Sequence, residues 1–155
     1  MADQPTRWQP PYPEPGPAPG VAFANAGARL VAYIVDVIIV GILVGLLSLL
    51  TVVLIVVMPL LSLLPIVALF VVPFVYFPYY WARSGQTPGM QMMAVRVVRD
   101  SDGGPVTGGQ AILRFIGYWV SGAVFHLGFA WILIDRRKRG WHDLIAGTVV
   151  VEVAR

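Results

Sequence analysis

The chain alternates little between apolar and polar positions. From Leu30 to Ala82 its ionisable side chains are Asp36 and four tyrosines, and nearly everything else is Leu, Ile, Val, Phe or Ala. A hydrocarbon core takes about 20 residues of helix per crossing, so an apolar run of this length predicts two. The first is expected at about 25–50, with a continuing stretch through Met58, and the second at about 60–81. Gly41 and Gly45 form a small-xxx-small pair on the first span, a candidate helix-packing face. The second carries Pro59, Pro65, Pro73 and Pro78, which predicts a kinked helix whose freed carbonyls face protein rather than lipid. Residues 84–109 then leave the membrane. "MMAVRVVRDSDGGPVT" reads as a short cytoplasmic β-hairpin over about 90–108, turning at Asp100–Gly104.

A third apolar segment occupies 112–134, with Arg114 near its start and Gly117 and Gly122 offering a break. A single crossing would put the basic run Arg136, Arg137, Lys138, Arg139 opposite Arg83, Arg96 and Arg99, against the positive-inside bias. Two half-helices that dip in and return are therefore preferred, with a third full span as the alternative. The predicted fold is an all-α membrane protein: a two-helix transmembrane hairpin, a re-entrant or spanning third segment, the β-hairpin, and a basic C-terminal segment at 135–155. Residues 1–24, with seven prolines, stand apart as a disordered or extended arm.

Composition sharpens this picture. Of 155 residues, 57% are hydrophobic and 12% charged, where soluble domains carry about 25% charged residues. The formal net charge is +3, concentrated beside the apolar spans, where it reads as topology signal and contact with anionic lipid headgroups, not nucleic acid. Tyr79, Tyr80 and Trp81 beside Arg83, and Arg136–Arg139 beside Trp141 and His142, are expected to be membrane-interface anchors. The absence of cysteine excludes thiol chemistry and thiolate metal sites, and no set of residues implies a metal or cofactor. The first residues lack a basic patch followed by a short apolar core, so insertion is expected to rely on the first span.

Three stretches carry a resemblance. "ARLVAYIVD" at the start of the first span, "GQTPGMQMMAVRVV" at 85–98 and "RGWHDLIAGTVVV" at 139–151 together resemble the RDD family of small membrane proteins. The likeness covers roughly residues 24–151 and matches the family's arginine and two aspartates to Arg29, Asp36 and Asp143. It implies a membrane location, expected to be a bacterial plasma membrane with the N-terminus and basic loops cytoplasmic. It also brings ion or small-molecule transport into view.

Arg29 and Asp36 lie seven residues apart, on one helical stripe and roughly 10 Å apart along the axis. An ionised aspartate near mid-bilayer costs several kcal/mol unless paired. An arginine can point inward and serve two carboxylates with its planar fork. The expectation is an Asp36–Arg29–Asp143 network tying the first span to the C-terminal segment. His126, inside the third segment, is a candidate for a proton path.

Two functions follow. One is a non-catalytic accessory or assembly subunit of a larger membrane complex or homo-oligomer, docking through its apolar helices and proline-rich arm. The other is a transporter, proton-coupled through Asp36. No nucleophile or relay setting supports an enzyme.

Overall fold

The computed structural model describes residues 21–153; the predicted arm lies outside them up to residue 20. α1 (Ala26–Val57) and α2 (Leu63–Ser84) are both long and apolar enough to cross a membrane. Asn25 caps α1 by accepting from the Ala28 amide (2.8 Å). The turn between the helices uses Pro59, whose carbonyl accepts from the Ser62 hydroxyl (2.6 Å). Pro73 and Pro78 lie within α2.

α1 is built inside out. Its buried residues are Arg29, Ala32, Asp36 and Thr51, whereas Leu30, Ile34, Ile38 and Ile42 are exposed. Polar groups turned inward and branched aliphatics turned outward suit a helix whose surrounding solvent is lipid.

Beyond α2 the chain builds a compact foot. Gly85, with φ 71°, ends α2 in the left-handed region, and α3 (Pro88–Met92) starts from Thr87 with proline in its first turn. β1 (Val95–Arg99) follows. Then come α4 (Gly108–Ala123), opened by a Thr107–Gln110 capping box, α5 (Leu127–Ile134), α6 (Trp141–Ala146) and β2 (Thr148–Glu152).

β1 pairs antiparallel with β2, from Val95 opposite Glu152 to Arg99 opposite Thr148. This corrects the predicted hairpin over 90–108. The turn does form, with Arg99 N donating to Gly104 O (2.9 Å) and Gly103 N donating to Arg99 O (3.0 Å). The return strand fails because Pro105 has no amide to donate and Thr107 already caps α4. On the far edge of β2, Ala24 N donates to Val150 O and Glu152 N to Ala22 O, both at 2.9 Å. Residues 22–24, assigned to the arm by composition, therefore belong to the folded domain. The sheet is covered on both sides. Val95, Val97 and Val150 pack with Trp81, Met90 and Ala111, and Val98, Val149 and Val151 with Val21 and Phe23.

α4 and α5 meet at 101°. The break falls not at Gly117 or Gly122 but at Phe125 and His126, which take positive φ values of 48° and 61°. Left-handed backbone at two bulky residues is strained. Gly117 serves another purpose. A Cβ there would meet the Cα of His142 at 2.6 Å, so the glycine lets α6 cross α4 in close contact.

Candidate functional site

The buried charges gather in two separate clusters in and beside the foot. The first centres on Asp143, at the start of α6. Arg29 reaches it from α1 (2.5 Å) and Arg114 reaches its other oxygen from α4. The Gly140 amide donates to Asp143 Oδ2 (2.9 Å), closing the first turn of α6. Arg114 also donates to Thr148 Oγ1 (2.9 Å) and lies over the rings of Trp81 (4.9 Å) and Tyr118 (5.8 Å), so its charge is met partly by aromatic faces. Burial alone would raise the Asp143 pKa, but Arg114 and Arg29 outweigh it and hold the carboxyl well below the ordinary range.

His142 sits beside this group, its ring 4.3 Å from Tyr118 and 5.3 Å from Phe129. Its Nε2 lies 3.2 Å from an Arg29 nitrogen and 3.3 Å from Asp143 Oδ2. Burial pushes its pKa down to about 4 against the pull of Asp143, so at neutral pH the ring is uncharged and Nε2 accepts from Arg29. Among the described residues, two guanidiniums against one carboxylate leave the cluster with one surplus positive charge.

The second cluster surrounds Asp36. Its carboxylate accepts from Thr87 Oγ1 (2.5 Å), the Gly89 amide (2.9 Å) and Tyr76 OH (3.0 Å). A side chain at Gly89 would collide with the backbone of Ala32, so only glycine lets α3 lie against α1 closely enough to offer that amide.

The expected three-member network is thus divided. Arg29 and Asp143 meet as anticipated, but Arg29 does not bond Asp36; its other nitrogen donates to the Lys138 carbonyl. The physical reason is supply. Three neutral donors from α2, α3 and the Thr87 cap of α3 already satisfy Asp36, while the foot presents Arg29 with an anion and a carbonyl. Arg114, Thr87 and Tyr76 were missed. Arg114 had a visible signal, an arginine within an apolar segment and without a nearby acid.

Several expected anchors also stand elsewhere. Trp81 is 1% exposed and lies under Arg114, not at a lipid boundary, and His142 is equally enclosed. Tyr79 and Arg83 are exposed and hydrogen-bonded to each other (2.6 Å), with Tyr80 partly covered. Within the basic run, Arg137 pairs with Asp100 (2.7 Å), and Arg139 with Asp100 and Asp135 (3.1 Å each), so these two are largely neutralised. Arg136 is exposed; Lys138 and Trp141 are partly covered. His126 is exposed at the α4–α5 bend, beside Phe129. Among the described residues, nothing lies within 4 Å of where a Cβ of Gly41 or Gly45 would stand.

A cavity of about 980 Å³ lies between α1, α2, α4 and α5. Tyr33, Phe77, Phe115 and Leu133 are among the groups that wall it, and Arg29 and His142 form its polar end. Among the described residues, no group of three or more His, Asp or Glu is placed to hold a metal ion.

Two apolar spanning helices on a foot stapled by buried arginine and aspartate define an integral membrane protein. The sequence pattern of the RDD family matches residues 23–147, and the chain belongs to that family. It is 38% identical over 65 residues to the uncharacterized protein YxaI of Bacillus subtilis, a match covering 42% of each chain. It is 32% identical over 77 residues to the uncharacterized protein RP437 of Rickettsia prowazekii, covering 50% of this chain and 42% of the relative. The chain thus spans less than half the length of these relatives. No solved structure matches.

Proposed function

We propose that the protein is a non-catalytic accessory subunit of a larger membrane assembly in a bacterial plasma membrane, with its N-terminus and basic loops on the cytoplasmic side. The observation that carries this reading is the bare Gly41–Gly45 face of α1. Small residues let helix backbones approach closely in lipid, where packing rather than water drives association. α1 has 32 residues, about 48 Å of helix, more than a bilayer core of about 30 Å requires. Past Asp36, Thr51 is its one buried residue. A partner's helices would cover this length.

Transport has less support. Asp36, the residue that would exchange the proton, is 1% exposed, holds three donors and is not among the residues walling the large cavity.

The test is purification of the full chain from native membranes in mild detergent, beside a Gly45→Ile variant. The expected result is a stoichiometric companion with the parent and its loss with Gly45→Ile, whose side chain meets open space in the isolated subunit and leaves its melting temperature near the parent's. A companion retained undiminished would overturn the helix-docking reading. Proton-coupled flux in liposomes of the purified chain, abolished by Asp36→Asn, would replace it with transport.

A further inference from the structure

The cavity between α1, α2, α4 and α5 combines features that a packing defect does not. Its walls are aromatic and aliphatic, and its volume of about 980 Å³ is near the upper end of the roughly 300–1,000 Å³ typical of ligand pockets. Its polar end is Arg29, in the first turn of α1 and therefore close to the level where a span meets headgroups.

Arg29 is only 8% exposed. A guanidinium has five N–H donors, and the acceptors found for this one are Lys138 O, His142 Nε2 and Asp143 Oδ2, which leaves capacity for an incoming anion. The Asp143 carboxylate is shared with Arg114, so among the described residues one positive charge at this end is unmatched. Asp36 is the next acid along α1, roughly 10 Å further, and is committed to Tyr76, Thr87 and Gly89. Excess charge in a poorly solvated site calls for a counter-charge.

The geometry points to a binding site for one anionic membrane phospholipid, its phosphodiester at Arg29 and an acyl chain between Tyr33, Phe77, Phe115 and Leu133. A phosphodiester carries one negative charge, which matches the surplus, and its oxygens suit a guanidinium fork. The site differs from diffuse attraction to the basic run, where Arg137 and Arg139 are already paired with acids. It does not depend on the accessory role, because the cavity and the Gly41–Gly45 face are different surfaces.

The experiment is native mass spectrometry of the full chain released from detergent after titration with dioleoyl phosphatidylglycerol or dioleoyl phosphatidylcholine. Three chains are compared: the parent, Gly122→Phe and Arg29→Gln. Gly122 lines the cavity and, among the described residues, nothing lies within 4 Å of its Cβ position, so phenylalanine fills the cavity without disturbing the fold. The parent is expected to retain one phosphatidylglycerol, about tenfold more tightly than phosphatidylcholine, as one charge-assisted contact would give. Gly122→Phe is expected to lose the retained lipid. Arg29→Gln, if it folds, is expected to bind both lipids alike. Equal retention of the two lipids by the parent, undiminished retention by Gly122→Phe, or a lipid-free dimer closing the cavity would each overturn the proposal.

Discussion

Replacing Asp143 by asparagine changes one atom at the centre of the foot. The side chain keeps its shape and one acceptor oxygen, but Arg29 and Arg114 then lie buried with no anion between them. Breaking a buried ion pair by removing one partner costs about 3–5 kcal/mol. The retained oxygen holds the expected loss near the lower figure, about 3 kcal/mol. At about 2–4 °C per kcal/mol for a chain of this size, the melting temperature should fall by about 6–12 °C.

The assay is thermal unfolding in one detergent, followed by far-UV circular dichroism. A second arm separates charge from shape: with Arg29→Met already present, Asp143→Asn should cost less than it does alone, a coupling of about 0.5–3 kcal/mol. A third arm tests the division between the clusters. Asp36→Asn and Asp143→Asn should add, since their donors are not shared. An Asp143→Asn melt within about 0.5 kcal/mol of the parent would refute the pairing, and strong coupling between the two aspartates would refute the division.

The remaining predictions concern protons and the α3 cap. His142 titrates near 6.5 when unfolded and is depressed to about 4 by burial, so the unfolded chain takes up a proton that the native chain refuses. Its stability contribution is complete above about pH 6.5 and is lost as pH falls toward 4, ~3 kcal/mol in all. Asp143, held low by its arginines, loses its contribution only below the ordinary carboxylate range. Melts between pH 7.5 and 4.5 should show the first slope in the parent and not in His142→Gln; equal slopes would remove the assignment. Thr87→Val deletes the hydroxyl that donates to Asp36 and accepts from the Met90 amide, at an expected cost of about 2–3 kcal/mol, with Thr87→Ser near the parent. Equal melts for the valine and serine forms would count against that bond.

The membrane spans were legible because lipid imposes a one-dimensional rule: length and apolarity suffice. The Arg29–Asp143 contact was anticipated from charge scarcity, since few ions were present to choose among. What stayed hidden depends on distant pairing. The valine-rich β1 finds β2, not the nearer segment, because a proline follows the local turn. A guanidinium is conspicuous in a sequence as a partner for Asp36, whereas a backbone amide made available by Gly89 is not. The α4–α5 break fell on bulky residues that carry no breaker signature.

Arg29 and Asp143 are 114 residues apart in the chain, and the last strand lies against residues 22–24. At synthesis rates of about 5–20 residues per second, roughly 6–23 seconds separate the two side chains on the ribosome. Through that interval the hairpin can already occupy the bilayer while its arginine waits for an anion that has not been made. Closure of the domain therefore follows insertion of the hairpin, and a chain truncated between α2 and α6 would leave Arg29 in the bilayer without its Asp143 partner.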